Sequence, residues 1–402
     1  MSEKKLYDVG GIAYERPFKI RRLNHFGLSV HDTGAALRFY RDLLGFKVSE
    51  VVDTAVTDPG PWHDGLPDTK IYMLRHNSDH HTLVLMPRPW SEHLEPPARG
   101  DITVNQITWQ VSTLREVVEA RLWLEGQGNK IDRYGRDPGS NWHTYFPDPS
   151  GHTNELEYGI EQVGWNGLSK PVAMWPWVQE HPELPTSSEA GEILAAVAKE
   201  IDLDSGHRWI DESEKAYDVG GVLLGRPFAP VRLGPVSLFV EDLDESVRFY
   251  TDTLGLTISE ESEVEGHRVV FLRANTEHHS VALFPLALRD VLGLSGESTL
   301  LSFGIQVGSY SQLRAAKEFL EAEGVELLDL PPEIHAGVDY VVHAVDPAGH
   351  VVALYYYMEQ VGWDGAVRPA DQRRQVTRGV WPETLEPLSD TYAGETFWGP
   401  IG

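Results

Sequence analysis

LNHFGLSV at residues 23–30, followed by DTGAALRFYRDLLG at 32–45, is the stretch whose reading decides the fold. The first piece alternates apolar and polar side chains with the period of a strand, and the second spaces its apolar residues as a helix does. Short alternating runs follow around KVSEVV (47–52), KIYMLRH (70–76) and HTLVLMP (81–87), so the unit reads strand, helix, three strands. The same order returns as VNQITWQV (104–111), LREVVEARLWLEGQG (114–128), NKIDRY (129–134), WHTYF (142–146) and TNELEYG (153–159). It begins twice more, at LGPVSLFV (233–240) and LLSFGIQV (300–307). The expected fold is therefore α+β, four βαβββ modules paired into two homologous domains. Residues 1–170 make the first pair, 171–214 a connector and 215–402 the second pair with a tail. The connector carries several prolines and the Ser-rich PTSSEAGE before a short helical pattern, EILAAVAKEID. Trp381, Pro382 and Trp398 read as a tail that packs on its own domain.

The two pairs repeat each other almost word for word. YDVGG stands at 7–11 and 217–221, RFYRDLLGF (38–46) answers RFYTDTLGL (248–256), and NSDHHTLVLMP (77–87) answers NTEHHSVALFP (275–285). DPSGHTNELEYG (148–159) matches DPAGHVVALYYY (346–357), and EQVGWNG (161–167) matches EQVGWDG (359–365). Yet His25 falls on Pro235, Gln106 on Ser302 and Glu155 on Ala353. None of the second set is a competent metal ligand. A scaffold kept while one polar set is lost is the pattern of residues that serve a site and not the fold.

Strand parity places that set together. Successive side chains on a strand point to opposite faces. Phe26, Leu28 and Val30 take the helix side, which leaves His25, Gly27 and Ser29 on the other. Gln106, Thr108 and Gln110 share the face opposite Ile107, Trp109 and Val111, and Glu155 alternates with Asn154 and Leu156. A three-residue polar face on a central strand suggests a lined cavity.

Composition bounds the chemistry. The 402 residues include no cysteine, which excludes disulfides, thiolate metal sites and a cysteine nucleophile, so any metal is held by nitrogen and oxygen. The formal charge of −27, from 61 acidic against 34 basic residues, repels phosphate backbones and anionic membranes. Neither nucleic acid nor a membrane is an expected partner. No apolar run approaches a bilayer span, and MSEKKLYDVGG lacks the layout of a signal peptide, so the expected location is cytoplasmic.

The four units, with LNHFGLSV, RFYRDLLGF and DPSGHTNELEYG, resemble the vicinal oxygen chelate superfamily. Within it, LRHNSDHHTLVL and YFPDPSGHTNE resemble the two-domain extradiol ring-cleaving dioxygenases, which act on catechols with iron. The resemblance implies a first-strand histidine ligand at His25 and a last-strand glutamate ligand at Glu155. It puts the second histidine ligand on Gln106, a departure. It also implies His81 as the acid/base histidine beside the oxygen site and Tyr145 as the tyrosine that hydrogen-bonds the catechol oxygen. A further histidine of that family lands on Arg136 or Asp137 and is absent. Those dioxygenases usually hold the metal in the C-terminal pair, whereas here the N-terminal pair carries the ligand types.

The expected partners are a small aromatic substrate and dioxygen, with a homo-oligomeric assembly. The expected metal is Fe(II), with Mn, Zn or Ni as alternatives, because an amide oxygen at Gln106 is a harder and weaker donor than imidazole. Two other functions fit the same set: a glyoxalase-type isomerase or lyase, in which a metal polarises a carbonyl, and a non-catalytic protein that binds aromatic ligands. HHS recurs at His278 and His279 in the copy without ligands, so His80 reads as a structural partner of His81. His143 shares the parity of Tyr145 and is an alternate ligand, while His76 and His152 read as surface residues.

Overall fold

The computed structural model describes residues 5–137, 139, 142–174, 177–184, 189–362 and 364–385. Two eight-stranded mixed sheets account for the four units. In the first, the strand order is Lys47–Asp53, Lys70–Arg75, Leu83–Pro87, Arg22–Val30, Val104–Gln110, Thr153–Tyr158, Trp142–Pro147, Arg133–Arg136. In the second, the same order runs Thr257–Val264, His267–Arg273, Val281–Pro285, Pro230–Val240, Leu300–Val307, Val351–Tyr355, Val341–Val345, Leu327–Leu328. Each unit's first strand is central and pairs parallel with its own last strand, and the two first strands of a pair meet antiparallel. The four central strands of each sheet therefore present one continuous face made from both units.

The helices form where the sequence offers a cap. Asp32 accepts a hydrogen bond from Ala35 N at 2.7 Å and starts Thr33–Leu37; Thr113 caps Leu114–Gly126 and receives Glu116 N at 3.2 Å. The sequence led us to expect one helix over DTGAALRFYRDLLG. Instead, Thr33–Leu37 runs into a wider turn over Arg38–Leu43, in which Leu44 N reaches back to Phe39 O. The widening lets Phe39 and Tyr40 both turn inward, and both are buried. The second copy repeats it over Phe249–Thr253.

One core runs through both copies. Phe26 packs on Phe303 with ring centroids 5.2 Å apart, and Trp109 on Tyr250 at 6.4 Å. Polar side chains are exchanged reciprocally across the same boundary. Tyr40 Oη donates to Asp346 at 2.8 Å and Tyr250 Oη to Asp148 at 3.1 Å. His152 Nε2 lies 3.0 Å from Thr299 Oγ1, and His350 Nε2 lies 3.0 Å from Thr103 Oγ1. Each copy also presses an arginine onto a glycine of the other: a Cβ at Gly45 (φ +92°) would meet Arg226 Nη1 at 2.0 Å, and one at Gly255 (φ +79°) would meet Arg16 Nη1 at 1.8 Å. His152, expected at the surface, is fully buried because it completes this exchange. His76 is likewise no surface residue: it lies against the Phe46 ring and hydrogen-bonds Thr82 at 3.0 Å.

Trp381 stacks on Tyr310 at 6.5 Å and lies 5.3 Å from the Tyr340 ring, so this part of the tail packs on the second copy; Trp398 lies outside the described residues. No helix among the described residues is long and apolar enough to cross a membrane.

Candidate metal centre

Four adjacent strands of the first sheet bring the predicted residues together. Thr108 sits opposite both His25 and Glu155 in the register, Glu155 sits opposite Tyr145, and Gln106 sits opposite Gly27. His25, Gln106, Tyr145 and Glu155 are at most 3% exposed. Gly27 makes the approach possible: a Cβ there would stand 2.7 Å from Gln106 Cγ and 2.0 Å from Asn105 Oδ1.

Glu155 is the hub. Its Oε2 lies 3.2 Å from His25 Nε2 and accepts the Thr108 hydroxyl at 2.5 Å, while its Oε1 lies 3.8 Å from His143 Nδ1. Burial opposes the carboxylate charge, but His25, His143 and Thr108 outweigh it and hold the Glu155 pKa down to about 2. His25 Nε2, His143 Nδ1 and Glu155 Oε1 are buried without a hydrogen-bond partner. Each such group costs about 1–3 kcal/mol if left unsatisfied, so a cluster of them around one carboxylate suits a bound cation. The His25–Glu155 separation also suits it, since metal–ligand bonds of about 2.1 Å at right angles set donors about 3 Å apart. Among the described residues no three His, Asp or Glu side chains close on one metal position. The amide of Gln106 lies on the same face, with its Oε1 3.5 Å from Tyr145 Oη.

His81 packs edge-on against His25, with centroids 4.3 Å apart, and its Nδ1 lies 3.0 Å from His80 Nδ1. Burial, then His25 and His80, push the His81 pKa well down, which keeps a neutral imidazole beside the hub. Burial and Glu155 push the Tyr145 phenol well up, so it remains a hydrogen-bond donor, and the Arg133 guanidinium lies 3.8 Å above its ring.

Two buried neighbours were not singled out from the sequence. Asn24 Nδ2 donates to Glu157 Oε1 at 2.6 Å, and burial with the nearby Glu155 charge raises the Glu157 pKa to about 8. The signal for Glu157 was present, since it shares the parity of Glu155. Glu50, 3.3 Å from His80 Nε2, gave a weaker one as the acidic residue of SEVV.

The corresponding place in the second sheet is closed. Pro235, Ser302, Gly304 and Ala353 line one enclosed void of about 10 Å³, room for a single water at most. Gly304 pairs with Ala353 as Thr108 pairs with Glu155, and a Cβ at Gly304 would meet Pro235 Cδ at 2.7 Å. His343 occupies the register position of Tyr145 and lies 2.8 Å from His335.

Known proteins share parts of this arrangement. The 3-methylcatechol 2,3-dioxygenase of Pseudomonas putida is 39% identical over 142 residues, 35% of this chain and 43% of that protein. The biphenyl-2,3-diol 1,2-dioxygenase of Paraburkholderia xenovorans is 30% identical over 140 residues, 34% of this chain and 40% of that one. The chain thus spans less than half the length of the curated relatives it matches. Among solved structures, the 2,3-dioxygenase LapB from Pseudomonas sp. KL28 superposes with a TM-score of 0.53 at 16% identity, covering 86% of this chain and 95% of that one. The Mn(II)-bound glyoxalase from Novosphingobium aromaticivorans does so with a TM-score of 0.53 at 16% identity, covering 86% and 85%. At such identities the likeness is one of fold. Residues 22–156 and 232–354, the two sheets with the helices between their strands, each match one family, and the chain belongs to the Glyoxalase/Bleomycin resistance protein/Dioxygenase superfamily.

Proposed function

We propose that the protein is a metal-dependent, extradiol-type dioxygenase that cleaves the ring of a catechol-like aromatic substrate with dioxygen, at a site in the N-terminal sheet. One observation carries the reading: the unpartnered His25 Nε2 and Glu155 Oε1 lie buried beside His81 and Tyr145, in a chain whose matched relatives include two ring-cleaving dioxygenases. His25, Gln106 and Glu155 would hold the metal, with Fe(II) the ion that suits the reaction. Bound there, such an ion would supply a template for two vicinal substrate oxygens and dioxygen and a path for electrons between them.

The chain's own groups do the rest. His81, neutral and against His25, accepts a proton from a substrate hydroxyl and returns one later in the cycle. Tyr145 donates a hydrogen bond that orients the deprotonated substrate oxygen. The burial of all these side chains keeps bulk water from the reacting atoms. His143, with Nδ1 3.8 Å from Glu155 Oε1, favours the carboxylate charge electrostatically.

Gln106 favours a second reading. An amide donor suits harder or borderline ions, as a glyoxalase-type isomerase or lyase would use. Anaerobically prepared protein loaded with Fe(II) and mixed with a catechol panel separates the two in an oxygen electrode. Dioxygen uptake with formation of a ring-opened product is expected. No uptake with any catechol, together with turnover of a carbonyl substrate by the zinc or nickel form, would overturn the dioxygenase reading. Aromatic binding by metal-free protein with no turnover in any metal form would leave a binding protein.

A further inference from the structure

The paired histidines carry more than the proposed reaction uses. His80 and His81 meet Nδ1 to Nδ1 at 3.0 Å, and His278 and His279 do the same at 3.0 Å. Both pairs are latched alike, His80 N to Glu161 O at 2.7 Å and His278 N to Glu359 O at 2.9 Å. The pair geometry therefore belongs to the scaffold. Such a contact needs one donor and one acceptor, and nothing within the pair decides which ring donates. The decision falls to whatever meets the outer nitrogen of the first histidine.

That neighbour is a carboxylate in both copies: Glu50 Oε2 lies 3.3 Å from His80 Nε2, and Glu260 Oε2 lies 3.0 Å from His278 Nε2. The copies then differ. In the second, Arg373 inserts between the acidic groups, with Nη1 2.7 Å from Glu260, Nε 2.7 Å from Glu359 and Nη2 3.3 Å from His278 Nε2. The guanidinium takes up the carboxylate charge and brings a competing donor to the imidazole. In the first copy no arginine stands at the same distance from the EQVGW motif, where the sequence has Trp175, outside the described residues, and the imidazole that interacts with both Glu50 and His80 is that of His207. Glu50 is 4% exposed and His80 fully buried, so the carboxylate acts on the imidazole at short range even though the two are not aligned as a full hydrogen bond.

Resting on the dioxygenase reading above, we propose that Glu50 is a positioning residue for His81. Its carboxylate keeps the His80 proton on Nε2, so that His80 Nδ1 accepts from His81 Nδ1–H and His81 Nε2 is left as a free lone pair for the substrate proton. The logic is that of a carboxylate orienting a base, extended by one imidazole.

The first test is on the metal-free, full-length protein with ¹⁵N-labelled histidine. The expected signature is a bare Nε2 and a protonated Nδ1 on His81; a His81 ring carrying its proton on Nε2 overturns the proposal without any variant. Glu50→Gln, whose amide can donate to His80 Nε2, is expected to shift that signature. In the Fe(II) form it should lower kcat about 10-fold at unchanged KM and metal content. Glu50→Asp is expected to recover part of the rate, and Glu260→Gln to change neither readout. An unchanged His81 signature and unchanged kcat in Glu50→Gln refute the relay. If wild-type protein consumes no oxygen with any catechol but the nitrogen signature shifts as described, the dioxygenase reading fails and the positioning by Glu50 stands.

Discussion

Replacing Glu157 by glutamine removes a fully buried carboxylate that has one hydrogen bond, from Asn24, and one oxygen without a partner. Burial, then the neighbouring Glu155 charge, raise its pKa from 4.5 to about 8, with Arg22 pulling the other way. Below pH 4.5 the group is protonated whether the chain is folded or not and costs nothing. As the pH climbs from there to about 8, the unfolded chain ionises while the folded protein holds the proton, so stability falls throughout that window and levels off above it. At about 1.4 kcal/mol per pH unit the whole interval amounts to about 5 kcal/mol, of which about 3 kcal/mol is reached at pH 7. Glu157→Gln keeps the acceptor for Asn24 and has no charge to bury. Urea unfolding of the metal-free proteins at a series of pH values is expected to give wild type and variant similar stabilities near pH 4. The variant should then become more stable by several kcal/mol at pH 8–9. A difference that stays constant across that range would refute the reasoning, because it would show that Glu157 does not retain its proton in the fold.

Other perturbations read other parts of the molecule. Gln106→Ala is expected to weaken zinc or manganese binding about 10-fold or more by titration calorimetry, while Ser302→Ala leaves it unchanged; equal affinities in wild type and Gln106→Ala would remove Gln106 from the metal. Gly27→Ala drives a Cβ into Asn105 and Gln106, so it should cost about 1–3 kcal/mol in urea and lower metal affinity as Gln106 is displaced; wild-type affinity would contradict the close packing. Arg373→Ala strands the buried Glu359 beside the partly exposed Glu260 and should destabilise the protein by about 1–3 kcal/mol in urea unfolding; an unchanged stability would show that water replaces the guanidinium at no cost.

Much of the site was legible because strands obey a period of two. Once LNHFGLSV and VNQITWQV are strands, His25, Gln106 and Thr108 must share a face, and the register opposes them as parity requires. The repeat then pointed to the candidate site, since His25, Gln106 and Glu155 fall on Pro235, Ser302 and Ala353 within motifs otherwise kept. What local patterning could not supply were contacts made by distant segments. His152 reads as a polar loop residue, and only Thr299 and Tyr250, both far along the chain, explain its burial beside Asp148. Glu50 looks like an ordinary acidic position on a strand until His80 is seen against it. The widened turn after Leu37 is equally hidden, because helical spacing does not tell a tight turn from a loose one.

The reciprocal exchange between the copies limits what truncation or recombination can do with this chain. A fragment ending at the connector would keep Asp148 and His152 but lose the Tyr250 hydroxyl and Thr299, and would expose Phe26 and Trp109 to water. The second half is thus the missing wall of the first half's core. Sequence drift is constrained at the DPxGH loops, because a change there breaks the partner half as well as its own.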